Sequence, residues 1–503
     1  MDEVDQGRTM ISTGVETLDQ VLHGGLTAER LYLVEGSPGT GKTTLGMQFL
    51  LAGRDVGEKG IYVTLSESRQ ELKEIARSHG WSLEGIEIYE LMDADETVER
   101  VQYTMFEPAE IELGNTVRNV QQQIERLKPD RIVFDSLSEM RLLSQGALRY
   151  RREILAFKQF LVGRGCTTLL LDDKSDGEDQ QLQSLAHGVI RLEQRLTDYG
   201  NERRFLRVIK HRGADFISGA HDLRLVRGGM NVFPRGIDGE AVDATDGFVS
   251  SGLASMDRLL GGGVSRGSST LLLGPAGVGK SSMGVQFAVE AAKRGQRAVL
   301  FEFEESSQTL FVRSEGLGLP LRNYVEQGLV EVRHLQAGEI TPNEFSMLVR
   351  SATEPDEQGR PTSVVVIDSL NGYLNSMPHE KHLMIQLNDI LTHLGKQGVA
   401  TFLVVAQHGM LGRAMVTPVD TSYLADAVIL FRYFEADGEI HRAISVLKNR
   451  TANHERTIRE FSLSDQGLII GPPLTKFRGI FAGIPEFIGS HDVLIPPAGK
   501  RPQ

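Results

Sequence analysis

The chain has 503 residues, 40% of them apolar and 24% charged, and a formal net charge of −13. That length exceeds what one hydrophobic core organises, and the composition excludes a disordered or fibrous chain, so two soluble domains are expected. The acidic balance argues against a surface given over to nucleic acid, although a local basic channel stays open.

In chain order, the opening MDEVDQGRTMISTG is acidic and has no apolar stretch of the signal-peptide kind, and no apolar run reaches membrane length. The expected location is cytoplasmic, with no membrane partner. LYLVEG then reads as a buried strand, GSPGTGKT as a glycine-rich loop and KTTLGMQFLLAG as the helix that follows it. GIYVTL, DRIVFD and TTLLLDD read as further strands, with helices over SRQELKEIARSHG and ALRYRREILAFKQFLVGRG. Near-continuous apolar strands between helices imply an α/β fold with a parallel sheet covered on both faces. Cys166, the one cysteine, cannot close an internal disulfide; beside TTLLL it reads as a core residue in a reducing compartment.

The pattern then repeats. Gly36 of GSPGTGKT and Gly274 of GPAGVGKS lie 238 positions apart, and the same offset aligns TGVETLDQVLHGGL with SGLASMDRLLGGGV and GMQF with GVQF. It also aligns Lys210-His211-Arg212 with Lys448-Asn449-Arg450. The period is too long for a solenoid, so each copy is a whole domain and the chain is a tandem duplication. The predicted domains are 1–240 and 241–485, joined through the acidic, Gly- and Ala-rich GIDGEAVDATDG, with 486–503 as a flexible tail. The segment from GPPLTKFRG onward, rich in Gly and Pro, reads as an ordered loop before that tail.

Each glycine loop lets the backbone wrap so that its N–H groups face phosphate oxygens. The candidate nucleotide contacts are Gly36-Ser37-Pro38-Gly39-Thr40-Gly41-Lys42-Thr43 with Thr44, and Gly274-Pro275-Ala276-Gly277-Val278-Gly279-Lys280-Ser281 with Ser282. Lys42 and Lys280 would reach terminal phosphates, and Thr43 and Ser281 would offer hydroxyls to Mg²⁺. Asp135 of RIVFDS and Asp368 of VVVIDS, each ending an apolar strand, are the acidic anchors for that metal. ATP and Mg²⁺ are thus the expected cofactors. A carboxylate that orients or deprotonates an attacking nucleophile is offered by Glu304-Glu305 in the second half, and by Glu67 beside Ser66 in the first.

Two phosphate loops, the Glu-Glu pair, IDSL and the run HRAISVLKNRTANHERTIREFSLSDQG together resemble the KaiC family within the RecA-like ATPases, and ARSHGW adds to the likeness. The resemblance spans essentially the whole chain. It implies two tandem RecA-like domains, assembled as a homohexameric double ring with ATP at the subunit interfaces. Lys210, Arg212, Lys448 and Arg450 would then reach the nucleotide of a neighbouring subunit. The implied chemistry is slow ATP hydrolysis in the first half and serine/threonine autophosphorylation in the second, with Glu304 as base. Ser422 stands at the family's serine acceptor position and Tyr423 at its threonine position; Thr417 matches a further threonine, and Thr421 lies next door. A KaiB-like partner fits the resemblance, whereas the short Pro-rich tail argues against a KaiA-like activator. Two other readings stay open: a RecA- or DnaB-like motor on DNA, and a scaffold that nucleotide merely assembles.

Overall fold

The computed structural model describes residues 9–91, 108–144, 147–173, 180–196, 201–236, 247–336, 338–377, 382–407, 423–436, 438–481 and 485–487. The chain divides into two compact units, Met1–Ile237 and Asp238–Gln503.

In the first unit a nine-stranded sheet runs, edge to edge, through Ile86–Glu90, Gly60–Thr64, Arg131–Asp135, Thr167–Asp173, Leu31–Gly36, Gly188–Arg195, Arg203–His211, His221–Val226 and Gly229–Phe233. The strands up to Gly188–Arg195 are parallel and the last three antiparallel. The second unit repeats this order strand for strand, with the loop-bearing strand Ser269–Gly274 between Ala400–Ala406 and Ala427–Ala436. The apolar runs explain the parallel part, because both faces of those strands are buried. On one face of the first sheet Val34, Tyr62, Val133 and Leu171 pack against Leu45 and Phe49 of helix Lys42–Asp55. The alternate residues Leu33, Ile61, Ile132 and Leu170 pack on the other face against Ile154 and Phe157 of helix Ala147–Leu161. Cys166 is buried within that second layer.

The three antiparallel strands are the architectural addition to the expected parallel sheet. Their burial is mixed rather than unbroken, as suits a sheet margin with one wetter face. The expected loop over GPP differs as well: Gly467–Pro473 is the outermost strand, an edge position that tolerates proline. The linker residues 237–246 and the tail beyond 487 lie outside the described residues.

The repeated TGVETLD and SGLASMD segments do the same local work. Asp19 accepts from the backbone N–H of Thr13 at 2.8 Å and its hydroxyl at 2.7 Å, and Asp257 accepts from Ser251 at the same two distances. Each carboxylate thereby ties the entry segment to the first turn of a short helix, Glu16–Val21 or Ala254–Leu260. No helix among the described residues is long and apolar enough to cross a membrane.

Candidate nucleotide sites

Both glycine loops sit at the carboxyl end of a central strand, at the point where helix Lys42–Asp55 or Lys280–Lys293 begins. Gly41 and Gly279 precede those helices with φ of 102° and 112°, a left-handed conformation that disfavours residues bearing a Cβ. A Cβ at Gly41 would stand 2.8 Å from Leu225 Cδ2, and one at Gly279 2.7 Å from Phe461 Cε1. The late antiparallel strands therefore press against the loops and hold their curl, which leaves the first helical N–H groups facing the cleft.

In the first half, Thr43 Oγ1 donates to Asp135 Oδ2 at 3.2 Å, and the hydroxyl of Tyr62 donates to the same oxygen. Burial pushes the Asp135 carboxyl up and the Tyr62 phenol well up. Lys42 donates to the carbonyls of Gly36 and Ser37 at 2.8 and 3.1 Å and pairs with Asp173 at 2.8 Å. Glu67 lies just beyond the end of the strand Gly60–Thr64, and its Oε2 is buried without a hydrogen bond among the described residues. Burial first, then the charges of Asp135 and Glu71, push its carboxyl up to about 7. The neighbouring Ser66 is exposed.

The second half is built around more carboxylates. A cleft of about 810 Å³ is lined by Lys280, Ser281, Glu302, Glu304, Glu305 and Asp368, among others. Asp368 accepts from Ser281, and its carboxyl is pushed up by burial. Glu302 stands in register beside Asp368 and is 1% exposed; burial and then Asp368 push its carboxyl well above the usual range. The matching position of the first half, in register with Asp135, holds Thr64. Lys280 donates to the Pro275 carbonyl at 2.7 Å, and burial lowers its ammonium to about 8 against the opposing pull of Asp368 and Glu304.

The two adjacent glutamates have separate surroundings. Glu304 is exposed and accepts from Ser369 Oγ at 2.7 Å. Glu305 is clamped by Arg313, whose Nε and Nη2 donate to its two oxygens at 3.1 and 2.6 Å. The third arm of Arg313 donates to Ser282 Oγ at 2.9 Å, which ties the glutamate to the helix that carries the loop. Of the pair, Glu305 is fixed in position by its bidentate guanidinium partner, whereas Glu304 is held only by a hydroxyl and faces the cleft.

The remaining sequence candidates divide. Lys210 stands opposite Val189, which pairs with Leu33, three residues before Gly36. Lys448 stands opposite Val428 beside Leu271, likewise three residues before Gly274. At the rise of an extended chain this is about 10 Å from the loop of the same half. Arg212 and Arg450 follow still farther away and are exposed. These four residues are thus not gathered at the loop of their own half. Lys210 donates to the Gln183 carbonyl and Lys448 to that of Ala425. Ser422, Thr417 and Thr421 lie outside the described residues, and Tyr423 is exposed.

Sequence reasoning missed Tyr62, Asp173, Glu302 and Arg313. Glu302 was within reach, since strand alternation sets it on the same face as Glu304. Arg313, eight residues beyond Glu305 and about two helical turns on, was legible only once the helix Ser307–Gly316 was drawn.

A Mg²⁺ ion takes hard oxygen donors, and each half offers a hydroxyl beside a carboxylate at the foot of its loop; these donors fit such an ion. Among the described residues no cluster of three or more His, Cys, Asp or Glu is arranged to hold a metal by itself.

Comparison with known proteins gives the same division of the chain. The family model described as ATPase: KaiC matches twice, over residues 11–237 and 249–475. The circadian clock protein KaiC3 of Synechocystis sp. is 26% identical over 501 residues, covering 98% of each chain. The circadian clock oscillator protein KaiC of Acaryochloris marina is 27% identical over 487 residues, covering 95% of this chain and 91% of that protein. That of Thermostichus vulcanus is 27% identical over 488 residues, covering 95% and 92%. With two matched repeats across nearly its whole length, each a RecA-like sheet bearing a phosphate loop, the chain belongs to the KaiC ATPase family.

Proposed function

We propose that the protein is a Mg²⁺-dependent ATPase of hexameric double-ring form whose second half also phosphorylates a hydroxyl of its own chain, so that it works as a timing or signalling switch. The observation that carries the reading is the second-half cleft, where Lys280, Ser281, Asp368 and Glu304 converge. Lys280 and the loop amides bind the triphosphate, and Ser281 and Asp368 would hold Mg²⁺, with Thr43 and Asp135 in those places in the first half. Such an ion would supply charge neutralisation for the triphosphate. Glu304, oriented by Ser369, accepts the proton of an attacking water or hydroxyl as the bond to the γ-phosphorus forms and ADP leaves. In the first half Glu67 holds the equivalent role.

The far placement of Lys210, Arg212, Lys448 and Arg450 from the loops of their own halves supports their service to a neighbouring subunit, as the family resemblance implies. Units 1–240 and 241–485, with a tail at 486–503, are the proposed working parts. A KaiB-like partner belongs to this reading.

The test is phosphosite mapping by mass spectrometry after incubation with Mg-ATP, run beside Glu304→Gln. Phosphate on Ser422, Thr417 or Thr421 that disappears in the variant is the expected result. An unmodified 413–425 peptide with continuing ADP release would remove the kinase step and leave the ATPase.

A further inference from the structure

The ammonium of Lys42 has three protons, and all three are engaged: two by the carbonyls of Gly36 and Ser37, the third by the Asp173 carboxylate at 2.8 Å. Asp173 ends the strand beside the loop-bearing strand, in register with Gly36, the first residue of the loop. Its other oxygen accepts from Ser138 Oγ at 3.1 Å, so the carboxylate is held at the mouth of the cradle rather than lying there by chance. The two carbonyls belong to the loop backbone and cannot leave. The Asp173 side chain, 43% exposed, can. The second half lacks this feature: the residue in register with Gly274 is Ala406, and the loop lysine faces no carboxylate from that strand.

From this we propose that Asp173 sets the nucleotide preference of the first-half site, competing with a terminal phosphate for Lys42 and so favouring a nucleoside diphosphate over a triphosphate. The inference rests on the reading of the first loop as a nucleotide site. A diphosphate fills the amide cradle and lets the lysine be shared between its β-phosphate and the carboxylate, bringing no γ-phosphate against Asp173. A triphosphate must take the lysine's third proton and settle its γ-oxygens close to the displaced anion, and like charges a few ångströms apart in a partly desolvated cleft repel. The second half, with Ala406 at that position, carries no such bias.

The experiment is equilibrium binding of Mg-ADP and of the Mg complex of a non-hydrolysable imido analogue of ATP to the full chain carrying Lys280→Ala, so that the first site alone reports. The same titrations are repeated with Asp173→Asn and with Asp173→Ala added. The expected result is a gain of about tenfold in affinity for the triphosphate analogue in both variants, with ADP changed by less than about threefold. Retained ADP binding shows at the same time that the site is folded. Equal gains for both nucleotides would overturn the proposal, and so would weaker triphosphate binding, which would make Asp173 a residue that positions Lys42 for the γ-phosphate. Absence of binding by the chain that keeps Asp173 would instead overturn the reading of the first loop itself, and the proposal with it.

Discussion

The two halves share a backbone plan and part company in charge. In the first half the Asp135 carboxylate accepts from the hydroxyls of Thr43 and Tyr62, Thr64 stands in register beside it, and the loop lysine is already paired with Asp173. Around Asp368 the second half sets Glu302, Glu304 and Glu305, relieved by the single guanidinium of Arg313, while its loop lysine is buried without a fixed ion pair from the adjacent strand. What duplication left alike is what the chain path requires: the left-handed glycines, the aspartates that tie Thr13 and Ser251, the strand order. What differs is a few side chains around each cradle, on neighbouring strands and on the segment and helix that follow the strand after the loop helix.

The largest break in that comparison should come from Arg313→Ala. Glu305 and Ser282 would both lose their partner, and removing one side of a charge-assisted pair costs about 1.5–3 kcal/mol. Phosphate release by the second half, measured with the first loop silenced by Lys42→Ala, should fall on the order of ten- to a hundredfold. First-half release, measured with Lys280→Ala, should stay within about twofold. An equal fall in both would mean that the halves are coupled through Arg313 and are not separate sites.

The pH profiles should differ in sign. Glu67 serves as a base only when ionised, and its carboxyl is raised to about 7, so first-half turnover should climb through about pH 7 by up to about tenfold per unit below it. Lys280 binds phosphate only when charged, and its ammonium is lowered to about 8, so nucleotide affinity of the free second site should decline as pH rises through about 8. Single-half variants titrated from pH 6 to 9 would show this; parallel profiles would put a shared group in control of both.

The smallest expected effect sharpens the contrast. Tyr62→Phe removes one neutral donor from Asp135, worth about 1 kcal/mol, and should slow first-half turnover about fivefold. Because the phenol acts through Asp135, the change should appear as a raised Mg²⁺ requirement. At the matching position the second half carries Leu300, so it has no comparable handle.

Strand and loop identities were legible in the sequence for a plain reason. An apolar run that ends in a glycine loop and restarts as a helix has few other solutions, and the second copy at a fixed offset removed those. The antiparallel strands after Gly188 were less legible, since their mixed burial gives neither an unbroken apolar run nor a clean alternation. Sequence by itself therefore determined the duplication, the parallel α/β plan, the two glycine loops and the residue types beside them, because these depend on spacing along one strand, one loop and one helix; the RecA-like identity came from the family resemblance. Only the tertiary structure decided which side chains meet across neighbouring strands. It set Asp173 on Lys42, Tyr62 on Asp135, Glu302 beside Asp368 and Arg313 on Glu305, contacts fixed by the register of parallel strands and the packing of a helix far apart in sequence.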